Sequence, residues 1–460
     1  MSAVKPHLHF MGIGGVGMSG LAQLMYAEGY GVSGCDASDG PQLARLRQAG
    51  IDVQLGHHPD HLADADVLVT TMAVPETCRE VQAARALGRK VMRRIDLLAE
   101  VMAGREGVGV TGTHGKSTTT AMTATVFLAA GADPAVLVGG ELPLIGSNVR
   151  SGAGPLIAEV DESDPGFQGL ACGIAVVTNL EDDHIAGDFS ERRNYHATWG
   201  ELVAATRRFA SQAGQVLYCA DWPGLAGILG DLPQARAYGF GSGADYRVDG
   251  LALEAGGSSF RFHAPDGSVQ VALAVPGRFN VQNAAAALAC AHLAGLPLEG
   301  AAAALALFRG VGRRWQRWGS VRGALIIDDY AHHPTEIGVT LEAAKHTGRR
   351  VRAVVQPHRW VRTARHWPAI AEAAAVADEV IVLDVYAAGE ESIPGISPAL
   401  IVERLRESGK RAQWLGMAEA ERYLAGSLAA GDLVITLGAG DVWKVARGVV
   451  QAGGGDDGSA

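Results

Sequence analysis

Val108-Gly109-Val110-Thr111-Gly112-Thr113-His114-Gly115-Lys116-Ser117-Thr118 is an apolar run that breaks into glycines and then meets a lysine and hydroxyls. The order is P-loop-like. Backbone N–H groups cradle phosphates, Lys116 reaches the β- and γ-phosphates, and the Ser117 hydroxyl can hold Mg2+. The usual pattern has a glycine where Val110 stands; here it falls at Gly112, leaving a shorter Gly-Thr-x-Gly-Lys-Ser loop. Magnesium needs further hard oxygen ligands. Glu159 closes the next apolar run, and Asp161, Glu162 and Asp164 crowd the same loop. Asn179, Glu181, Asp182, Asp183 and His184 follow the run after it. The bland alternative is a solvated loop charge for each carboxylate and a structural histidine for His184.

Two further groupings carry chemistry. Gly12-Ile13-Gly14-Gly15-Val16-Gly17 follows an apolar run, and Asp36 comes near the spacing at which an acid meets a ribose hydroxyl. Glycines let the backbone approach a diphosphate, and a helix N-terminus supplies donors and a positive dipole end. Alone, this loop predicts a nicotinamide-dependent dehydrogenase, and its alternative is a glycine turn without a ligand. Farther on stand Asp328-Asp329-Tyr330-Ala331-His332-His333-Pro334-Thr335-Glu336 and Gln356-Pro357-His358-Arg359-Trp360-Val361-Arg362-Thr363. Arg359 and Arg362, three apart, share a face if helical and could grip a carboxylate. Histidines beside them could orient or deprotonate an amine. The alternative is a surface arginine pair and a capping aspartate.

Elements must hold these groups in place. Short β-branched runs at 8–11, 67–71, 107–111, 156–160, 174–178, 325–328, 351–356, 380–383 and 433–437 alternate with Ala/Leu-rich helical stretches. That alternation predicts α/β units with parallel sheets. Many runs end in Gly, Asp, Glu, Asn or His, and ligands of such sheets bind at strand carboxyl ends. Residues 244–273 read as appended β-hairpins. The Ala-rich stretch 284–308, broken by His292, Pro297 and Glu299, reads as two packed helices rather than a membrane span.

At 460 residues the chain suggests about three domains of roughly 150 residues. With 48% hydrophobic and 19% charged residues, wholesale disorder is excluded. A net charge of −10 argues against a nucleic-acid surface. The five cysteines show no Cys-x-x-Cys pair and read mostly as core thiols. The first ten residues lack a signal-peptide pattern, so the expectation is a soluble cytoplasmic protein.

The motifs HFMGIGGVGMSGLA, GTHGKSTTTAM, AEVDESD, TNLEDDH, PGRFNVQNAAAALA, DDYAHHPTE, QPHRWVRT, VYAAGEESIPG and GAGDVWKVAR, spread over residues 9–447, resemble those of the Mur ligase family. These are the ATP-dependent amide ligases of peptidoglycan precursor synthesis, on which cell wall, shape and division depend. The resemblance implies three domains: a Rossmann-like UDP-substrate domain (1–105), a central P-loop ATP domain with a parallel sheet (106–311) and a Rossmann-like amino-acid domain (312–452). Residues 453–460 are expected as a disordered tail.

The resemblance also implies roles. Gly12, Gly14, Gly15 and Gly17 would hold the UDP diphosphate, with Asp36, Thr71, His114 and Asn179 as further UDP-substrate contacts. Gly112, Thr113, His114, Gly115, Lys116, Ser117 and Thr118 would bind ATP, together with Asn280, Asn283 and Arg314. The family usually has histidine where Phe279 stands. Ser117, Glu159 and His184 would hold Mg2+, or alternatively Mn2+. Tyr330, His332, His358, Arg359 and Arg362 would receive the amino acid. Lys116 and His332 would be catalytic, His332 as base or orienter. The implied reaction joins L-alanine to the lactyl carboxylate of UDP-N-acetylmuramate through an acyl phosphate. A sister branch adding a recycled tripeptide is the nearest alternative; a dehydrogenase and a non-catalytic nucleotide-binding regulator are distant ones. The expected partners are these small molecules, with neither nucleic acid nor membrane. No lysine lies between Lys116 and Lys345, so the carbamylated lysine some family members use has no counterpart in the central domain.

Overall fold

The computed structural model describes residues 5–72, 74–183, 185, 196–454 and 456–457. Three sheets organise them. The first comprises β1 (His7–Met11), β2 (Gly31–Asp36), β3 (Asp52–Leu55), β4 (Val67–Thr70) and β5 (Lys90–Arg93), in the order β3-β2-β1-β4-β5. Every pair is parallel. Helices α1 (Val16–Ala27), α2 (Pro41–Gln48) and α3 (Arg79–Ala86) connect strands, the turn Pro59–Leu62 joins β3 to β4, and α4 (Arg94–Ala103) follows β5. The order reverses at β1, so the loop leaving β1 sits at the switch point where doubly wound sheets bind ligands.

The second sheet contains β6 (Val108–Thr111), β7 (Ala135–Leu142), β8 (Ser147–Arg150), β9 (Leu156–Glu159), β10 (Ile174–Val177), β11 (Gln215–Cys219), β12 (Ala235–Gly239), β13 (Tyr246–Glu254), β14 (Gly257–Ala264) and β15 (Gly267–Leu273). Its order is β15-β14-β13-β12-β11-β10-β6-β9-β7-β8. The last three strands are the expected hairpins. The principal helix, α5 (Lys116–Ala129), follows β6 directly, and α6 (Trp199–Ser211) and α7 (Leu225–Leu229) pack farther along. The Ala-rich stretch forms α8 (Arg278–Leu293) and α9 (Leu298–Leu305). No helix among the described residues is long and apolar enough to cross a membrane.

The third sheet runs β20-β19-β18-β21-β17-β16-β22, from β16 (Gln316–Val321), β17 (Ala324–Asp329), β18 (Arg350–Val355), β19 (Glu379–Val382), β20 (Arg411–Trp414), β21 (Asp432–Leu437) and β22 (Asp456–Asp457). Its helices are α10 (Pro334–Lys345), α11 (Trp360–Ala374), α12 (Pro398–Glu407), α13 (Met417–Ser427) and α14 (Trp443–Ala452). Alternation along each strand feeds two cores. Val351, Ala353 and Val355 pack with Leu341, Ile370 and Ile401 on one face. Val354 and Ile381 pack with Leu424, Val445 and Val449 on the other. A sheet covered on both faces needs such continuous apolar runs. The tail expected to be disordered contributes Asp456–Asp457 as an antiparallel bridge to β16.

By internal contacts the chain divides into two compact units. One comprises 1–249, 261–270 and 282–305; the other comprises 250–260, 271–281 and 306–460.

Candidate functional site

In the first unit, β6 delivers its buried chain into a loop whose shape depends on two glycines. Gly112 has φ +126° and Gly115 has φ +81°, conformations that disfavour any side chain. A β-carbon on Gly112 would lie 2.7 Å from the Asn179 carbonyl oxygen, and one on Gly115 would lie 2.7 Å from Asn283 Oδ1. The end of β10 clamps the loop. Asn179 Oδ1 accepts from His114 N at 2.7 Å, and Asn179 Nδ2 donates to His114 O at 2.9 Å. Thr178 Oγ1 also donates to His114 O, at 2.6 Å. His114 Nε2 lies 2.9 Å from Glu181 Oε2. Asn179, expected at the UDP substrate, thus has both amide atoms on the loop backbone.

Lys116 opens α5 and curls back into the loop. Its Nζ donates to Gly112 O at 2.6 Å and Thr113 O at 3.2 Å, and pairs with Glu162 Oε2 at 2.7 Å. Burial alone would lower the lysine pKa, but Glu162, Asp161 and Glu159 outweigh it and hold the pKa above its ordinary value. The ammonium therefore stays charged at any working pH. Glu159 Oε2 accepts from Gly139 N at 2.8 Å. A β-carbon on Gly139 would lie 2.5 Å from Glu159 Oε2 and 2.8 Å from Ser117 Oγ. The hydroxyl and carboxylate thus converge on one point, as a hard-cation site needs. His184, the third expected metal ligand, lies outside the described residues. Asp164 takes a structural role: it caps the turn Pro165–Gly169 by accepting from Gly166 N at 2.9 Å. Asn283, on α8, accepts from Thr119 Oγ1 at 3.1 Å and so backs the same loop.

The other glycine loop starts at Gly12, φ +78°. Gly12 N and Ile13 N donate to Cys35 O at 2.8 and 3.0 Å, tying the loop to β2. Asp36 Oδ2 accepts from Gly14 N at 2.9 Å. Gly15 caps α1, and the exposed Gly15 and Gly17 leave its N-terminus open to an anion. Arg94, absent from the sequence reading, reaches this end: its guanidinium would lie 3.2 Å from a β-carbon on Gly17. Its only sequence signal is a basic residue immediately after β5. Thr71 directly follows β4, and its carbonyl accepts from Val74 N at 3.1 Å.

In the second unit, β21 lies between β17 and β18, so one strand separates the two motif-bearing strand ends. The late strand inserts centrally, and its Gly438–Gly440 turn fills the gap. Arg313, another residue the sequence reading passed over, ties that turn down through Gly438 O at 2.6 Å, Gly440 O at 2.9 Å and Asp328 Oδ2 at 3.0 Å. Arg313 and Arg314 each lie 5.0 Å from the Tyr330 ring centroid. Arg314 also pairs with Glu336 at 3.5 Å. His332 Nδ1 lies 2.9 Å from Tyr330 O and 3.3 Å from Glu336 Oε2. Both partners accept, so Nδ1 carries a proton toward them. His358 stacks on Tyr386 and accepts from Arg362 at 3.2 Å. Asn280 donates to Pro276 O at 2.7 Å, and the Phe279 ring lies against Gly277.

Arg359 departs from the helical-face expectation. It is the N-cap of α11, outside the helix, with φ +66°. A non-glycine residue there is strained. Glu390 holds it, accepting from Arg359 Nε at 2.5 Å and from Val361 N at 3.1 Å. Glu390 was legible only as part of the VYAAGEESIPG motif, because its partner is 31 residues away.

Asp329 accepts from Trp315 N and Ala331 N, both at 2.8 Å. Burial raises its pKa to about 6, against the lowering pull of Arg314 and these donors. The folded chain therefore binds this proton more tightly than the unfolded chain does. The associated stability is complete below pH ~4 and is lost as pH rises through about 6. Relative to Asp329→Asn, which does not titrate, the wild-type unfolding free energy should fall by about 2 kcal/mol between pH 4 and 7. A pH-independent difference in denaturant titrations would contradict this.

Three family models match: Mur ligase family, catalytic domain, over residues 7–106; Mur ligase middle domain over 110–291; and Mur ligase, glutamate ligase domain over 313–440. The UDP-N-acetylmuramate–L-alanine ligase of Deinococcus radiodurans is 45% identical over 96% of this chain and 93% of its own. The enzyme of the same name from Pelotomaculum thermopropionicum is 40% identical, covering 97% of each chain. The crystal structure of UDP-N-acetylmuramate-alanine ligase from Thermotoga maritima superposes with a TM-score of 0.82 at 28% identity, covering 97% of this chain and 98% of that one.

Proposed function

The chain belongs to the Mur ligase family, and on that premise we propose that it joins L-alanine to the lactyl carboxylate of UDP-N-acetylmuramate at the expense of ATP, releasing ADP and phosphate. The observation that carries this reading is the loop after β6. There a charged, buried Lys116 lies among Glu162, Asp161 and Glu159, with Ser117 and Glu159 converging beside it. Supporting it is near-full-length identity to relatives bearing that activity in their names.

The lactyl carboxylate attacks the γ-phosphorus of ATP, ADP departs, and an acyl phosphate forms. The amine of L-alanine attacks the acyl carbon, and the tetrahedral intermediate expels phosphate to leave an amide. Two anions must meet in the first step, and the Lys116 ammonium reduces their repulsion. Ser117 and Glu159 are the described residues that would hold Mg2+, with His184 as the further expected ligand; bound there, the ion supplies charge neutralisation and orientation of phosphate oxygens. Gly15, Gly17 and Arg94 receive the UDP diphosphate at the start of α1. Arg359 takes the carboxylate of L-alanine. His332 Nε2 takes the ammonium proton, with Tyr330 O and Glu336 fixing the ring. The reaction is placed in the cytoplasm.

The test supplies ATP, Mg2+ and UDP-N-acetylmuramate with L-alanine, glycine, L-serine or tripeptide, and follows phosphate release and product mass. L-alanine should give the highest kcat/KM. Turnover with tripeptide alone would replace this reading by the sister activity.

A further inference from the structure

Far from the phosphate loop in sequence, His9, Cys35, His61 and Glu80 bring four metal-capable side chains together, their ligand atoms all within 4.8 Å of one another. They come from β1, the end of β2, the short turn Pro59–Leu62 and the first turn of α3. His9, Cys35 and Glu80 are buried. Apolar packing encloses the group: Cys35 belongs to a cluster with Met11, Leu62, Leu68 and Val81.

We propose that these four residues form a closed structural site for Zn2+, which anchors the carboxyl end of β2 and through it the first glycine loop. Glu80 Oε1 lies 3.2 Å from His9 Nε2, 3.3 Å from His61 Nδ1 and 3.6 Å from Cys35 Sγ. Zinc bonds of about 2.0–2.3 Å arranged tetrahedrally set neighbouring ligand atoms roughly 3.3–3.6 Å apart. The edges that meet at Glu80 Oε1 therefore already match those of the polyhedron, and the remaining ones are no longer than 4.8 Å.

The same contacts show how crowded the pocket is. His9 Nε2 and His61 Nδ1 are both buried and both face the single oxygen Glu80 Oε1, and neither contact has hydrogen-bond geometry; a cation between the three atoms would satisfy them all. The other ring nitrogen of His9 is committed, lying 2.9 Å from Ser33 Oγ, which also contacts His7 Nε2 at 2.8 Å. That contact aims Nε2 inward, and a zinc-bound Nε2 requires Nδ1 to donate to Ser33 Oγ. His57 flanks the sulfur, its Nδ1 3.1 Å from Cys35 Sγ and 3.6 Å from Glu80 Oε2.

Charge balance agrees. Two neutral imidazoles, one carboxylate and one thiolate around Zn2+ sum to zero, which suits an apolar enclosure. Binding displaces the Cys35 thiol proton and the ring protons by which His9 and His61 face Glu80; these pass to solvent or to the other ring nitrogen. A sulfur and two imidazoles select zinc over the magnesium of the phosphate loop. The connection to the glycine loop is direct: Cys35 O receives Gly12 N and Ile13 N, and the next residue, Asp36, receives Gly14 N.

The experiment uses the full chain, purified without a polyhistidine tag or chelator, with zinc measured by mass spectrometry. Stoichiometric zinc is expected, retained in Glu159→Ala and lost in Cys35→Ser. Ser33→Ala should weaken zinc binding about tenfold to a hundredfold. Chelated wild-type protein titrated with Co2+ should develop tetrahedral d–d bands and a thiolate-to-cobalt charge-transfer band. The cobalt spectrum decides even if Cys35→Ser fails to fold. Folded wild-type protein that carries no zinc and gives no such spectrum overturns the proposal. Zinc that persists in a folded Cys35→Ser, or that leaves with Glu159→Ala, overturns the ligand assignment.

Discussion

Lys116→Ala is expected to reduce ATP-dependent amide formation by about 10³-fold or more, while UDP-N-acetylmuramate still binds with an affinity within about threefold of wild type. The size follows from what the ammonium does. It is the cation that two Gly-loop carbonyls hold at the mouth of α5, at 2.6 and 3.2 Å. Losing a preorganised charge at developing anionic oxygens costs about 4 kcal/mol. The substitution also takes the ammonium away from Glu162, whose carboxylate is buried and sits 2.7 Å from Nζ, so lost activity alone could report lost folding. Lys116→Ala/Glu162→Gln removes that buried charge as well. It should recover the melting temperature without recovering turnover. Recovered turnover would mean that the lysine serves only to neutralise Glu162. Loss of UDP-substrate binding in a folded variant would place that substrate elsewhere.

Arg359→Ala is expected to raise the KM for L-alanine about 30-fold or more and to move the KM for ATP by less than about threefold. A charge-assisted hydrogen bond to a carboxylate contributes about 2–3 kcal/mol when desolvated, which sets that scale. Arg359 already holds one carboxylate, Glu390, through Nε at 2.5 Å. Its backbone is held at φ +66° between the Tyr386 carbonyl, which accepts from Arg359 N at 2.8 Å, and the start of α11. The side chain is thus positioned before any ligand arrives, and that preorganisation makes its loss specific. Arg359→Ala/Glu390→Gln separates stability from binding: the melting temperature should recover while the L-alanine KM stays high. Equal effects on both substrates would sink the carboxylate-clamp role.

How much of this was legible in advance depended on distance along the chain. The loop after β6 and its lysine are contiguous, so steric rules for glycine and the start of a helix place them without knowledge of the rest. The strand runs behaved alike: 351–356 and 433–437 are mostly apolar because both faces of the third sheet are covered, and the buried exceptions are matched, Arg352 by Glu379 and Thr436 by Asp328. The order of those strands was not legible. Placing β21 between β17 and β18 is a packing outcome, and no local propensity encodes it. The helical-face argument for Arg359 and Arg362 failed for a related reason. It assumed that both arginines lie within one helix, whereas a pairing with Glu390 and a left-handed backbone leave Arg359 at the cap.

By itself the sequence determined the alternation of strands and helices, the glycine positions where the chain must turn left-handed, and the residue types gathered at strand ends. These follow from backbone sterics and apolar periodicity, which act over a few residues. Tertiary structure alone decided that Glu162 meets Lys116, that Glu390 meets Arg359, and that His9, Cys35, His61 and Glu80 converge from four separate elements. Each of those meetings places a polar or charged group in a buried setting, where an unmatched partner is costly. Which partners match is set by sheet order and packing, so a group that reads as scattered core thiols and histidines along the chain becomes one ligand set only once the chain is folded.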